Sequence, residues 1–319
     1  MYEGNYCGMG AAMKAAIIGA GRKRNGIGEY IAKYFHDNRA EVTGVLGSSE
    51  KTALSAATNL TKYGIKAQPY TNFSTMIHEA QGECVAIASP SITHKTYIEQ
   101  CIEAGVHIFC EKPFTSPDVP NAPAWTENIL AKAQEKGLTV ALNSQWPFSL
   151  PFYEELCGKL DPTGIKEFSI RLSPLSIGHE MIPDSVPHAL SLLYVAAGSG
   201  RIDGLSFQGG EDSLMIRFTY LTEHTRCETL IELMRETLQP RTFFFGFNGR
   251  VVTRHIDLGT YTIHLTYEDK TLKIADPLGL SVRDFLTAVS SGAEPLLGRR
   301  HIIGTASLLC QIYSELMSR

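Results

Sequence analysis

Ala15-Ala16-Ile17-Ile18-Gly19-Ala20-Gly21-Arg22-Lys23-Arg24-Asn25-Gly26-Ile27-Gly28 decides how the rest of the chain is read. A short apolar run ends on glycine, and the amphipathic stretch from Gly28 to Asp37 follows it, which predicts a strand, a tight turn and a helix. A dinucleotide-binding turn needs one glycine for the bend, one for backbone approach to the pyrophosphate, and a third where the helix packs on the strand. Gly19 and Gly21 suit the first two roles. Gly26 or Gly28 suits the third, with Arg22 to Asn25 inserted and Ile27 carried in the same turn. A plain loop would also accept these glycines; the position between a first strand and a helix favours the cofactor.

About twenty residues further on, an acidic side chain commonly holds the ribose hydroxyls of NAD. Here the chain reads Gly47-Ser48-Ser49-Glu50. The small Ser48 and Ser49 leave room for a 2′-phosphate, and Arg22, Lys23 and Arg24 add positive charge, so NADP(H) is favoured and NAD(H) remains possible. The competing reading has Glu50 supplying the acid and the basic trio merely solvated.

Downstream, β-rich runs alternate with amphipathic stretches as far as Leu138 to Leu142, the pattern of an α/β fold with a parallel sheet and crossover helices. One run, Val106 to Cys110, ends in Glu111-Lys112-Pro113. Ligands in such sheets bind at the carboxyl ends of the strands, so Lys112 is a candidate donor to a reacting oxygen rather than only a solvated loop lysine. From Phe168 the period changes to two, as in Leu214, Ile216, Phe218 and Tyr220, which predicts a second, α+β domain on a mainly antiparallel sheet. Arg217, Glu228, Glu232, His264 and Thr266 fall on its polar face. The expected division is a dinucleotide-binding domain over 14–145 and a substrate-binding, oligomer-forming domain over 146–319, with 1–13 a loose tail. The segments Pro147 to Phe152 and Ser173 to Pro183 read as pocket loops, and two helices close the chain.

Asp184-Ser185-Val186-Pro187-His188 precedes an apolar helix. Proline suits a first helical turn, so the helix is expected to begin at Ser185 to Pro187, with Asp184 either capping it or facing a ligand. Histidine titrates near neutrality and is the usual proton carrier in alcohol and carbonyl chemistry, although His188 taken alone is more often a packed histidine.

The 319 residues carry a net charge of −4 and no broad basic face, which argues against nucleic acid or a membrane surface as main partner. The seven cysteines form no CxxC pair and no cluster with histidine, so no metal site is expected; they read as reduced, buried thiols of a cytoplasmic protein.

Ala15 to Gly28, Ser89-Pro90-Ser91-Ile92-Thr93-His94, the junction Ala104-Gly105-Val106-His107 leading to Glu111-Lys112-Pro113, and the Asp184/His188 pair together resemble the Gfo/Idh/MocA family (glucose-fructose oxidoreductase, inositol dehydrogenase, rhizopine catabolism). The resemblance is strong from residue 14 to about 145 and thinner beyond. It implies an N-terminal Rossmann domain with a doubly wound parallel sheet, a C-terminal open-faced sheet domain, and NAD(P)-dependent hydride transfer at a hydroxyl or carbonyl carbon of a sugar-, cyclitol- or polyol-like substrate. It further implies that Lys112 bonds the reacting oxygen, His188 moves its proton, and Asp184 orients substrate or lysine. By the same resemblance, a cis peptide precedes Pro113, Ser89, Pro90, His94 and Glu111 line the nicotinamide side, and Gln145 and Trp146 touch cofactor or substrate. Homodimers or homotetramers are implied through the open sheet. The inserted Arg22 to Asn25, the Val186-Pro187 pair where the family usually has glycine, and a short second domain depart from the pattern. A non-catalytic cofactor or sugar sensor on the same fold, or a reductase of an imine or tetrapyrrole-like substrate, are the alternatives.

Overall fold

The computed structural model describes residues 12–21 and 26–319, so Arg22, Lys23 and Arg24 and most of the expected tail lie outside the described residues. The chain forms two compact units, one ending at Ala88 and one running from Ser89 to Arg319.

The first unit holds β1 (Lys14–Ile18), α1 (Gly28–Asp37), β2 (Glu41–Leu46), α2 (Glu50–Leu60), β3 (Gln68–Tyr70), α3 (Phe73–Ala80) and β4 (Cys84–Ile87). β1 pairs in parallel with β2 and β4, and β2 with β3. Ala15 to Ile18 and Cys84 to Ile87 are fully buried or nearly so, as expected of strands covered on both faces. Gly19 has φ +87°, a conformation that only glycine adopts without strain. Gly28 allows the close approach of α1 to the strands: a Cβ there would stand 2.9 Å from Ala20 Cα and 3.1 Å from Ala88 Cβ. Of the two candidates for the third glycine, Gly28 therefore takes the helix-packing role.

The second unit continues with α4 (His94–Ala104), β5 (His107–Glu111), α5 (Ala122–Glu135) and β6 (Val140–Asn143), β5 and β6 being parallel. The full strand order of this first sheet is β3-β2-β1-β4-β5-β6, the doubly wound order expected of a Rossmann fold. A 3-10 turn over Trp146–Ser149 then leads into α6 (Leu150–Cys157). The expected pocket loop from Pro147 to Phe152 is thus helical; Pro147 and Pro151 occupy N-terminal positions of these turns, where a missing N–H costs nothing.

After β7 (Glu167–Leu172) comes α7 (Met181–Ala197), and then β8 (Gly200–Gly209), β9 (Ser213–Thr222), β10 (Arg226–Met234), β11 (Phe244–Phe247), β12 (Arg250–Asp257), β13 (Thr262–Tyr267) and β14 (Lys270–Ile274). The eight strands run β14-β13-β12-β11-β7-β10-β9-β8, antiparallel throughout except for β7 against β10. Leu214, Ile216, Phe218 and Tyr220 face the core, while Arg217 and Glu228 are exposed on the other side. The sheet is therefore α+β and open-faced, as expected.

α7 begins at Met181, four residues before the earliest expected start, with Pro183 in its first turn and Pro187 inside it. Asp184 is consequently a helical residue, not a cap. Burial decides this: Met181, Ile182, Val186, Ala189 and Leu190 are all at most 1 % exposed, and packing of an apolar face outweighs the hydrogen bond that Pro187 cannot donate. Two terminal helices, α8 (Pro277–Ser291) and α9 (Arg299–Met317), complete the chain. They return to β5 and β6: Phe285 packs 5.4 Å from Phe109, and the Leu142 N–H donates to the Leu297 carbonyl.

Candidate active site

β5 delivers Lys112 just beyond its last residue, and the Lys112–Pro113 peptide is cis. Behind the lysine, Glu111 lies opposite Asn143 in the β5–β6 register, and the Asn143 side-chain amide donates to its carboxylate. Glu111 is thereby committed to bracing the strand ends. His94, at the start of α4, is 1 % exposed and sets Nδ1 2.8 Å from the Pro113 carbonyl and Nε2 2.9 Å from the Ser89 carbonyl. It ties the segment after β4 to the turn that carries Lys112. The Ser89 hydroxyl is shared with Thr93 at 2.7 Å, and Pro90 caps the 3-10 turn Ser91–Thr93.

Lys112 reaches α7. Its Nζ donates to the backbone carbonyl of Asp184 and lies 3.3 Å from the same residue's carboxylate. The other carboxylate oxygen accepts from the Ser176 hydroxyl at 2.8 Å. Burial pushes the Asp184 carboxyl up, but the Lys112 charge and the hydrogen bonds from Ser176 and Lys112 outweigh it and hold the group below its ordinary range. One helical turn on, His188 shares Nδ1 with the Ser144 hydroxyl at 3.1 Å. Enclosure drives its imidazole well below the ordinary value, the Lys112 charge adds to this, and Asp184 opposes it. The result is a cation, an anion and a neutral base side by side.

Trp146 presents an edge to His188, with ring centroids 6.4 Å apart, and stacks on Phe243 at 3.9 Å. At 5 % exposure, with one face against Phe243, the indole belongs to the core of this unit. Gln145, half-exposed, opens the turn before it. Ser144 and Ser176 are the members of this cluster that sequence reasoning did not select. Ser144 adjoins Gln145 and could have been found from that position; Ser176 lies in a loop that no motif marks.

In the first unit, Gly19 and Gly21 form the turn before α1, and the N-cap Ile27 makes no side-chain hydrogen bond to the first turn, so its backbone N–H groups are not taken by that residue. Together with the close approach at Gly28, this fits the pyrophosphate of a dinucleotide. Gly26 lies just before α1. Ser48 is exposed, whereas Ser49 is the N-cap of α2: its hydroxyl accepts from the Thr52 N–H and Thr52 reciprocates, a capping box that engages the serine expected to bind phosphate. Glu50 is the first residue of α2. Among the described residues no cluster of histidine, cysteine or acidic side chains could hold a metal, and no helix is long and apolar enough to cross a membrane.

Residues 13–144 match the family model described as "Oxidoreductase family, NAD-binding Rossmann fold" of Gfo/Idh/MocA type. Over that segment the chain is of Gfo/Idh/MocA oxidoreductase type. The matched segment is the NAD-binding Rossmann fold of an oxidoreductase, as in dehydrogenases. Among curated relatives, the chain is 22% identical over 308 residues to the UDP-N-acetylglucosamine 3-dehydrogenase of Acidithiobacillus ferrooxidans, spanning 88% of the chain and 89% of that protein. A crystal structure of that enzyme superposes with a TM-score of 0.71 at 19% identity, over 95% of this chain and 97% of that one. A dTDP-3,4-didehydro-2,6-dideoxy-alpha-D-glucose 3-reductase from Actinomadura kijaniata is 27% identical over 100 residues, 31% of this chain and 28% of that protein.

Proposed function

We propose that the protein transfers a hydride between a nicotinamide cofactor and a hydroxyl or carbonyl carbon of a sugar-like substrate. The observation that carries this reading is the pairing of Lys112 with Asp184, one helical turn from His188. An ammonium has three donors. Two are directed at the Asp184 carbonyl and carboxylate, and the third is available for the oxygen of the reacting carbon. Ser144 occupies Nδ1 of His188, so exchange of the substrate proton falls to Nε2. Asp184 aims Lys112, and Ser176 holds Asp184. The bound nicotinamide supplies the hydride acceptor or donor; every other step belongs to these side chains. A sensor without turnover needs none of this constellation.

Two relatives are named for nucleotide sugars, which supports a sugar ring as the substrate class. Within this reading, the cofactor-binding segment is 14–145 and the substrate segment 146–319, since the parallel strands end at Asn143 and the open sheet starts at Glu167. NADP(H) remains the favoured cofactor on the strength of the exposed Ser48 and the basic trio, although the engagement of Ser49 in its cap weakens the case. The reading includes a homo-oligomer joined through the polar face of the open sheet and a cytoplasmic location. Unpaired, buried Cys84, Cys101 and Cys110, whose thiols burial pushes up, suit a reducing compartment.

The test is fluorescence titration with NADPH and NADH, followed by a screen of sugars, cyclitols and nucleotide sugars for nicotinamide absorbance change. Absence of binding to both cofactors would overturn the proposal.

A further inference from the structure

Arg254 has no part in the cluster above, and its position is costly. It lies two residues from the fully buried Val252 on β12 and so shares the core-facing side of the open sheet. Its guanidinium carbon sits 5.2 Å from the ring centroids of both Trp146 and Phe243. Nη2 donates to the Arg241 carbonyl at 2.7 Å, while Nε is buried without a hydrogen-bond partner. Arg241 in turn donates from Nη1 to the Ser173 carbonyl at 3.0 Å. Among the described residues neither arginine forms an ion pair. Burial, and then the charge of Arg241, pushes Arg254 down to about 10, while Tyr261 and Asp276 oppose this more weakly, so it stays cationic at neutral pH.

Two arginines joined through a backbone carbonyl, one largely desolvated and neither in an ion pair, favour an anion that would complete them. They adjoin the catalytic cluster by two routes. Trp146, over which Arg254 lies, sets its edge against His188. Ser173, which accepts from Arg241, is three residues before Ser176, which holds Asp184. A guanidinium fork matches phosphate oxygens in pairs, and its aromatic stacking fixes its plane.

We infer that Arg254 and Arg241 form a subsite for the phosphate groups of the substrate, which makes the substrate a nucleoside-diphosphate sugar. The inference rests on the hydride-transfer reading for its position beside the reacting carbon, but its test does not depend on turnover.

The full-length protein is titrated calorimetrically with UDP, with uridine and with NADH. UDP is expected to bind at least about tenfold more tightly than uridine, and Arg254→Lys and Arg241→Ala each to weaken UDP by about tenfold or more while NADH affinity is kept. If Arg254→Lys fails to fold, the partly exposed Arg241 supplies the variant. UDP and uridine binding alike, neither binding, or UDP affinity surviving Arg241→Ala would overturn the subsite. A protein that binds UDP through these arginines yet oxidises no sugar keeps the subsite and sinks the hydride-transfer reading. One that turns over uncharged sugars but ignores UDP does the reverse.

Discussion

Ser176 and Asp184 are joined by a 2.8 Å hydrogen bond that connects a loop after β7 to the first turn of α7. The carboxylate it orients is the same one that faces Lys112, so a loop hydroxyl fixes the direction of a charge carried from another element. Replacing Ser176 with alanine should leave the fold intact and lower kcat by about tenfold, the scale of losing one hydrogen bond to a charged group. Steady-state kinetics with a parallel NADH titration would check it; an unchanged kcat would show that Lys112 alone is enough to hold Asp184.

Lys112→Ala removes the donor to the reacting oxygen. Turnover should fall by about 10²- to 10⁴-fold, the range of a positioned acid or donor, while cofactor affinity is largely kept. An active alanine variant would remove Lys112 from the mechanism.

The pH–rate profile should report an imidazole that stays neutral. With His188 driven well below its ordinary value by burial, the acid limb of kcat/KM is expected well under pH 6.5. A half-point near 6.5 would mean that the ring titrates as in water, which contradicts its enclosure beside Lys112.

His301 on α9 offers a separate stability test. It is 3 % exposed, packs edge-on to Tyr194, and neither ring nitrogen has a hydrogen-bond partner. Burial pushes it to about 3. Between that value and the unfolded value near 6.5, the unfolded chain binds the proton and the folded chain does not. Stability should therefore fall as pH drops through this window, by up to about 1.4 kcal/mol per pH unit from this residue. His188 adds to the same window. Urea unfolding of His301→Leu at several acidic pH values should show a shallower dependence than the parent; an equal slope would refute the assignment.

Gly28→Ala would force a methyl group into the 2.9 Å approach between α1 and Ala20. A loss of about 1–3 kcal/mol is expected, as for overpacking elsewhere, together with weaker cofactor binding, because the turn before α1 would shift. Thermal melts with and without NADH would separate the two effects.

Lys112, Asp184 and His188 were legible in the sequence because each sits at a position that family spacing or strand-end logic marks. The start of α7 was not. Pro187 argued for a later start, and only the burial of Met181 and Ile182, a tertiary fact, moves the helix back to make Asp184 a helical residue. Ser49 shows a similar ambiguity: a serine before a helix suits a phosphate and a cap equally, and only the fold reveals its capping bond with Thr52. Arg254 was illegible because residue type alone assigns an arginine to the wet face, whereas its two-residue offset from Val252 turns it inward.

The packing of Phe285 on Phe109 and the bond from Leu142 to Leu297 give the chain a schedule. The strands that present Lys112 emerge from the ribosome early, but their cover is made last. Release of nearly the whole polypeptide must precede a finished β5–β6 edge, so a nascent or prematurely ended chain shows chaperones and proteases an apolar surface around the very lysine on which activity is proposed to depend.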